Sequence, residues 1–211
     1  ELGQIEQLAQ PQIQRLRRLA GPAEVRCVPN WAPERAPLPP RAEARARLGW
    51  DPDAFVVAQL SRLSAQKDPL TFVRAAALDR GGHWKLCGAG PQRGEVEAAA
   101  RGVDSIEVCG HVDDQDVFAA ADVITLASLW EGLSFALLAA MQAGRAVVAS
   151  RIPGNTDLVE HEQTGLLVEP RDPEGLQAAV ARLREDPELA TRLAAAGRAR
   201  IEARYSAAVV A

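Results

Sequence analysis

The chain has 211 residues, enough for one large or two small domains with a substantial core. Its formal net charge is −4 with both signs interspersed, so no basic stripe marks it for nucleic acid. No apolar run approaches the ~18 residues of a membrane span, and the N-terminal segment does not read as a secretion signal.

In chain order, residues 1–20 read as an amphipathic helix, with Leu2, Ile5, Leu8, Ile13, Leu16 and Leu19 near helical spacing and Pro11 dividing it. Gly21 and Pro22 end that helix, and Val25–Val28 reads as a short strand. Pro29, Pro33, Pro37, Pro39 and Pro40 then mark an irregular linker. From residue 54 short apolar strands alternate with helices. The expected strands are Phe55–Leu60, Trp84–Cys87, Ile106–Cys109, Val123–Leu126, Ala146–Ala149 and Leu166–Val168. The expected helices are Pro69–Leu78, Arg93–Arg101, Asp114–Ala120, Phe135–Ala143, Asn155–Glu160, Pro173–Arg184 and Pro187–Tyr205. Such alternation implies right-handed crossovers and an α/β fold, a Rossmann-like doubly wound parallel sheet of about six strands. The chain begins at Glu1 rather than Met and stops at Ala211, and so reads as a piece of a longer protein.

Cys27, Cys87 and Cys109 each sit alone in an apolar stretch and read as buried free thiols of a reducing cytoplasm. His83, His111 and His161 have no metal-ligand spacing, so no metal site is expected. Of the 24 basic residues only Lys67 and Lys85 are lysines, a bias that makes a retained lysine notable.

Several strand-exit loops carry candidate chemistry. Arg62 and Lys67 both leave the first strand, either as ordinary surface charges or as a clamp on a diphosphate, one a planar fork and the other a point charge. Gly88 and Gly90 leave the second strand as a lone G-x-G. The third glycine of a dinucleotide fingerprint is out of place at Gly94, so a turn and a ligand contact are both open. Gly110, His111 and Val112 leave the third, as backbone groups facing a base or as a simple turn. The most informative run is Trp130–Gly144. Glu131 and Gly132 precede a helix whose N-terminus favours anions, where an acid would repel phosphate. An acid there makes sense as an acceptor for sugar hydroxyls.

Taken in order, these residues resemble the C-terminal, donor-binding half of retaining glycosyltransferases of the GT-B fold, glycosyltransferase family four. The resemblance runs from Val28-Pro29-Asn30 to about Tyr205. It rests on the Arg62/Lys67 loop, Cys87–Pro91, Cys109–Val112, Ala121-Asp122-Val123, Ser128–Gly132, Ala140–Gly144, Pro153-Gly154-Asn155 and Gly165–Val168. It implies a remnant helix of an acceptor domain over 1–24, an interdomain strand and linker over 25–53, and a donor-binding domain over 54–211. The implied activity is hexosyl transfer from a nucleoside-diphosphate sugar to a glycan or lipid-linked acceptor, without cofactor or metal. The implied setting is cytoplasmic, with peripheral membrane contact by the full-length protein. Arg62 and Lys67 would hold the diphosphate, and Glu131 would bind the donor sugar. Backbone groups from Leu133, Ser134, Phe135 and Ala136 would face phosphates and sugar. Gly110 to Val112 would line the base site, with Gly88 nearby. Without its acceptor domain the chain would transfer nothing.

The sequence departs from that pattern at Ala139, where the family's second glutamate binds ribose. Losing a charge-assisted hydrogen bond costs ~1.5–3 kcal/mol. Ser134 and Asp157 stand where glycine and glutamate are usual. Ala139 keeps open an alternative, a non-catalytic sugar-nucleotide-binding homologue. A nicotinamide-dependent dehydrogenase is the third reading, weakened by the incomplete glycine fingerprint.

Overall fold

Short runs of buried residues set the sheet in this computed structural model, which describes residues 31, 32 and 35–206. The expected helix over 1–20, the strand over Val25–Val28 and Cys27 lie outside the described residues. The strands are Val56–Leu60 (β1), His83–Cys87 (β2), Ile106–Gly110 (β3), Val123–Leu126 (β4), Ala146–Ser150 (β5) and Leu166–Val168 (β6). All pairs are parallel, in the order β3-β2-β1-β4-β5-β6. Every residue of β4 and β5 is buried, as a sheet covered on both faces requires. The order reverses between β1 and β4, so the carboxyl ends of these two strands flank a crevice. The β1–β4 ladder registers only Val57 with Val123 and Ala58 with Ile124, whereas β1 and β2 stay paired to Leu60 and Cys87.

The helices are Arg41–Leu48 (α1), Pro69–Leu78 (α2), Arg93–Ala100 (α3), Asp114–Ala120 (α4), Phe135–Gln142 (α5), Asn155–Leu158 (α6), Pro173–Glu185 (α7) and Pro187–Arg204 (α8). Proline at the first helical position and an aspartate cap start α2, α7 and α8, where Asp68, Asp172 and Asp186 accept backbone N–H groups. The two faces of the sheet bury separate cores. One holds Phe72, Trp84, Val180 and Leu193, with the Phe72 and Trp84 rings edge to face at 5.0 Å. The other holds Phe118, Leu137, Met141, Ile201 and Tyr205.

Two expectations need correction. The supposed irregular linker contains α1, which packs on α4, and Trp50 just beyond it is buried. The buried face of α1 is Ala44 and Arg45 rather than an apolar stripe. Arg45 donates to the carbonyls of Ala120, Asp51 and Pro52 at 3.0, 2.8 and 2.7 Å and to Asp122 Oδ2 at 3.0 Å. The second correction concerns cysteine. Cys87 and Cys109 are both free thiols, but only Cys87 is buried while Cys109 is half-buried, and they are not isolated, because β2 and β3 are neighbours. Interaction between the two thiols raises the pKa of Cys87, helped by burial, and lowers that of Cys109, while the thiols donate to Lys85 O and Glu107 O of their own strands.

Candidate active site

The loop leaving β1 is fixed from one side by the loop leaving β2. Ser61 N–H donates to Cys87 O, Leu63 N–H to Ala89 O and Gln92 N–H to Leu63 O, each at 3.0 Å. Gly88, at φ +140°, and Gly90 permit that approach, since a Cβ at either would overlap the backbone of Ser61 or Leu63. These glycines close two loops on each other. That assigns the G-x-G a packing task and weakens the dinucleotide reading further.

From its other side the β1 loop meets the loop leaving β4. A single 3-10 turn, Ala65–Lys67, ends at Asp68, whose side chain caps α2. Leu129 N–H donates to Gln66 O at 2.8 Å, and Gln66 Nε2 donates to Trp130 O at 3.0 Å. Between these backbone contacts Lys67 Nζ forms an ion pair with Glu131 Oε1. Ser128 Oγ donates to the same oxygen at 2.6 Å. The Glu131 side chain is 6% exposed and that of Lys67 19%. Both bonds end on Oε1, so among the described residues the carboxylate is held through one oxygen.

The structure therefore brings Lys67 and Glu131 together but leaves Arg62 apart. Arg62 is exposed on the same loop, without an ion-pair partner among the described residues. Lys85, the other lysine, pairs with Glu107 at 2.6 Å and lies over Trp50. Gly110, at φ +76°, accepts the Gly88 N–H at 2.5 Å. His111 is exposed, and Val112 and Leu133 both pack against the core. Ser134 is buried, and its hydroxyl caps α5 by accepting Leu137 N–H at 3.4 Å. The first-turn N–H groups of Phe135 and Ala136 have no helical carbonyl to reach. Phe135 and Trp130 expose 59% and 57% of their surface beside Glu131. Ala139 is buried in the core.

The loop leaving β5 backs onto this arrangement. Gly154, at φ +86°, packs so that a Cβ would overlap Gly132 O. Burial raises the pKa of Asp157, against the opposing effects of the Gly154 N–H and Arg200. Two residues that hold the site were not singled out from sequence. Ser128 was read as part of a motif without a role, and Gln59 as part of an apolar strand. The available signal for Gln59 was a lone amide inside Val56–Leu60.

Among the described residues no group of three or more His, Cys, Asp or Glu is placed to hold a metal ion, and no helix is long and apolar enough to cross a membrane.

The sequence matches the family described as Glycosyl transferases group 1 over residues 54–186. The lipopolysaccharide core biosynthesis glycosyltransferase LpsD of Rhizobium meliloti is 31% identical over 196 residues, covering 91% of this chain and 56% of that protein. Sucrose-phosphate synthase from Thermosynechococcus elongatus superposes with a TM-score of 0.79 at 30% identity, over 95% of this chain and 54% of that one. Anabaena Alr3699/HepE, solved in complex with UDP-glucose, shares the fold at a TM-score of 0.75 and 24% identity, over 80% of this chain and 49% of that one. The chain spans about half the length of the curated relatives it matches. With a Rossmann-like parallel sheet matching GT-B glycosyltransferases and a family match that covers every candidate site residue, the chain belongs to the glycosyl transferases group 1 family.

Proposed function

We propose that this chain is the nucleotide-sugar-binding half of a retaining, family-four glycosyltransferase that moves a hexose from a nucleoside-diphosphate sugar to a glycan or lipid-linked acceptor. The observation that carries the reading is the Lys67–Glu131 pair across the β1/β4 crevice, with Arg62 on the same loop unpaired among the described residues. A diphosphate entering there competes with Glu131 for the ammonium of Lys67. Lys67 and Arg62 then offset the charge that develops on the departing phosphate, with no metal ion required. Glu131, released from Lys67 and still bonded to Ser128, accepts hydroxyl groups of the donor sugar. The α5 N-terminus, Leu133 to Ala136, faces the phosphates, and Gly110, His111 and Val112 line the base. Relatives named as glycosyltransferases and a fold neighbour solved with UDP-glucose support this assignment.

The acceptor site belongs, in this reading, to a separate domain, so the chain binds donor and transfers nothing by itself. A lipid-linked acceptor would bring the full-length protein from the cytoplasm to the membrane surface. Calorimetric titration with UDP, GDP, ADP and NAD, against the Arg62→Ala/Lys67→Ala double variant, tests the donor site. The expected result is saturable binding of one nucleoside diphosphate, weakened about tenfold or more in the variant. Saturable NAD binding without affinity for any nucleoside diphosphate overturns it.

One observation favours a second reading, a sugar-nucleotide-binding homologue without turnover. Ala139 places a methyl group inside the core where a ribose-binding carboxylate would be needed. Donor binding by the full-length protein with no transfer to any acceptor would select that reading.

A further inference from the structure

Gln59 is the one polar side chain of β1, and it is fully buried. An apolar residue would satisfy burial equally well, so the amide calls for a separate explanation. Its position supplies one. The β1–β4 ladder ends at Ala58 and Ile124, so the strands lose their backbone connection just where the site begins. Gln59 follows immediately. Its Nε2 donates to Lys67 O at 3.2 Å and to Ser61 Oγ at 3.4 Å, while its Oε1 accepts Ala127 N–H at 3.3 Å. One donor end thus holds the backbone of the residue that supplies the cation. The acceptor end holds the first residue of the loop that supplies Ser128 and Glu131. The outer rim is bridged separately by Gln66 through Leu129 and Trp130.

We infer that Gln59 is a positioning residue: its amide replaces the missing ladder bonds across the split between β1 and β4 and sets the separation of Lys67 from Glu131. Gln66 ties the loops at the surface, and Gln59 ties them at the floor of the crevice. The ion pair lies between the two ties.

The geometric claim is tested without any ligand. Gln59→Met keeps a long unbranched side chain and removes both hydrogen-bonding ends. A double-mutant cycle of Lys67→Met and Glu131→Gln, followed by chemical denaturation of the 211-residue chain, measures the coupling of the pair. Repeating the cycle in the Gln59→Met background should reduce that coupling to about half or less. An unchanged coupling overturns the inference. If Gln59→Met does not fold, Gln59→Asn enters the same cycle, since its amide is one methylene too short to span both loops.

The consequence for the reaction rests on the donor-site reading above. Gln59→Met should weaken binding of the nucleoside diphosphate about tenfold in the wild-type background but less than roughly twofold once Lys67→Met is present. A merely structural defect gives the same factor in both backgrounds, and that result also overturns the inference. If no nucleoside diphosphate binds the wild-type chain, the donor-site reading fails while the denaturation cycle still decides Gln59.

Discussion

Asp122 leads into β4 and Glu131 follows it, and each carboxylate meets a cation across the switch between β1 and β4. At the amino end Asp122 accepts from Arg45, from Arg41 at 2.5 Å and from Val56 N–H at 2.8 Å. The other Arg45 donors go to three backbone carbonyls, and burial pushes its pKa down. Little capacity remains there for anything else. At the carboxyl end Lys67 meets one oxygen of Glu131, which Ser128 shares, and Arg62 on the same loop has no acid partner among the described residues. The difference lies in saturation rather than in charge. A pair with most of its donors and acceptors used fixes the fold, whereas a partly used pair keeps capacity for a ligand.

The largest expected effect breaks the saturated pair. Arg45→Met leaves Asp122 short of its buried partner and should cost about 3–5 kcal/mol in chemical denaturation. For a chain of this size that lowers Tm by roughly 6–20 °C. A loss below about 1 kcal/mol would mean that Arg45 is no more structural than Lys67, and the contrast would collapse. Next in size is Glu131→Gln, which keeps an acceptor for Ser128 and should cost only about 1 kcal/mol. It frees Lys67, so affinity for the nucleoside diphosphate should hold or rise, while the extra affinity contributed by the donor sugar disappears. Calorimetry with the diphosphate and with its sugar derivative separates the two; a fall in diphosphate affinity would show that Glu131 supports the phosphate site instead.

The smallest effect concerns the loop behind the site. The raised pKa of Asp157 means that its stabilising contribution is present below the unfolded-state value of about 3.9 and is lost as pH rises through the higher folded-state value. Asp157→Asn should therefore melt slightly above wild type at neutral pH, with the gap closing toward pH values near 3.5. Equal melting curves across the range would remove Asp157 from the account of this rim.

Most of the sheet was legible because its signals are local. Proline and aspartate start α2, α7 and α8, and short apolar runs name the strands within a residue or so. α1 was missed because Arg41–Leu48 lacks apolar periodicity; the distant carbonyl of Ala120 and the nearby ones of Asp51 and Pro52 make the burial of Arg45 tolerable. Lys67 and Glu131 were each named, yet their pairing spans 64 residues and depends on β1 lying beside β4. The Cys87–Cys109 contact was hidden for the same reason, since strand order is not a local pattern. Gln59 was absorbed into an apolar strand because a single amide barely disturbs a five-residue pattern.

The short β1–β4 ladder has a mechanical consequence. It divides the sheet into two three-stranded leaves, β3-β2-β1 and β4-β5-β6, stitched by two registered residue pairs. The Arg45 hub closes the seam at one end, and the Gln59 and Gln66 amides bridge it at the other. Lys67 rides on one leaf and Glu131 on the other. The crevice is the open end of that seam, and the width between the two leaves sets the distance between the two side chains.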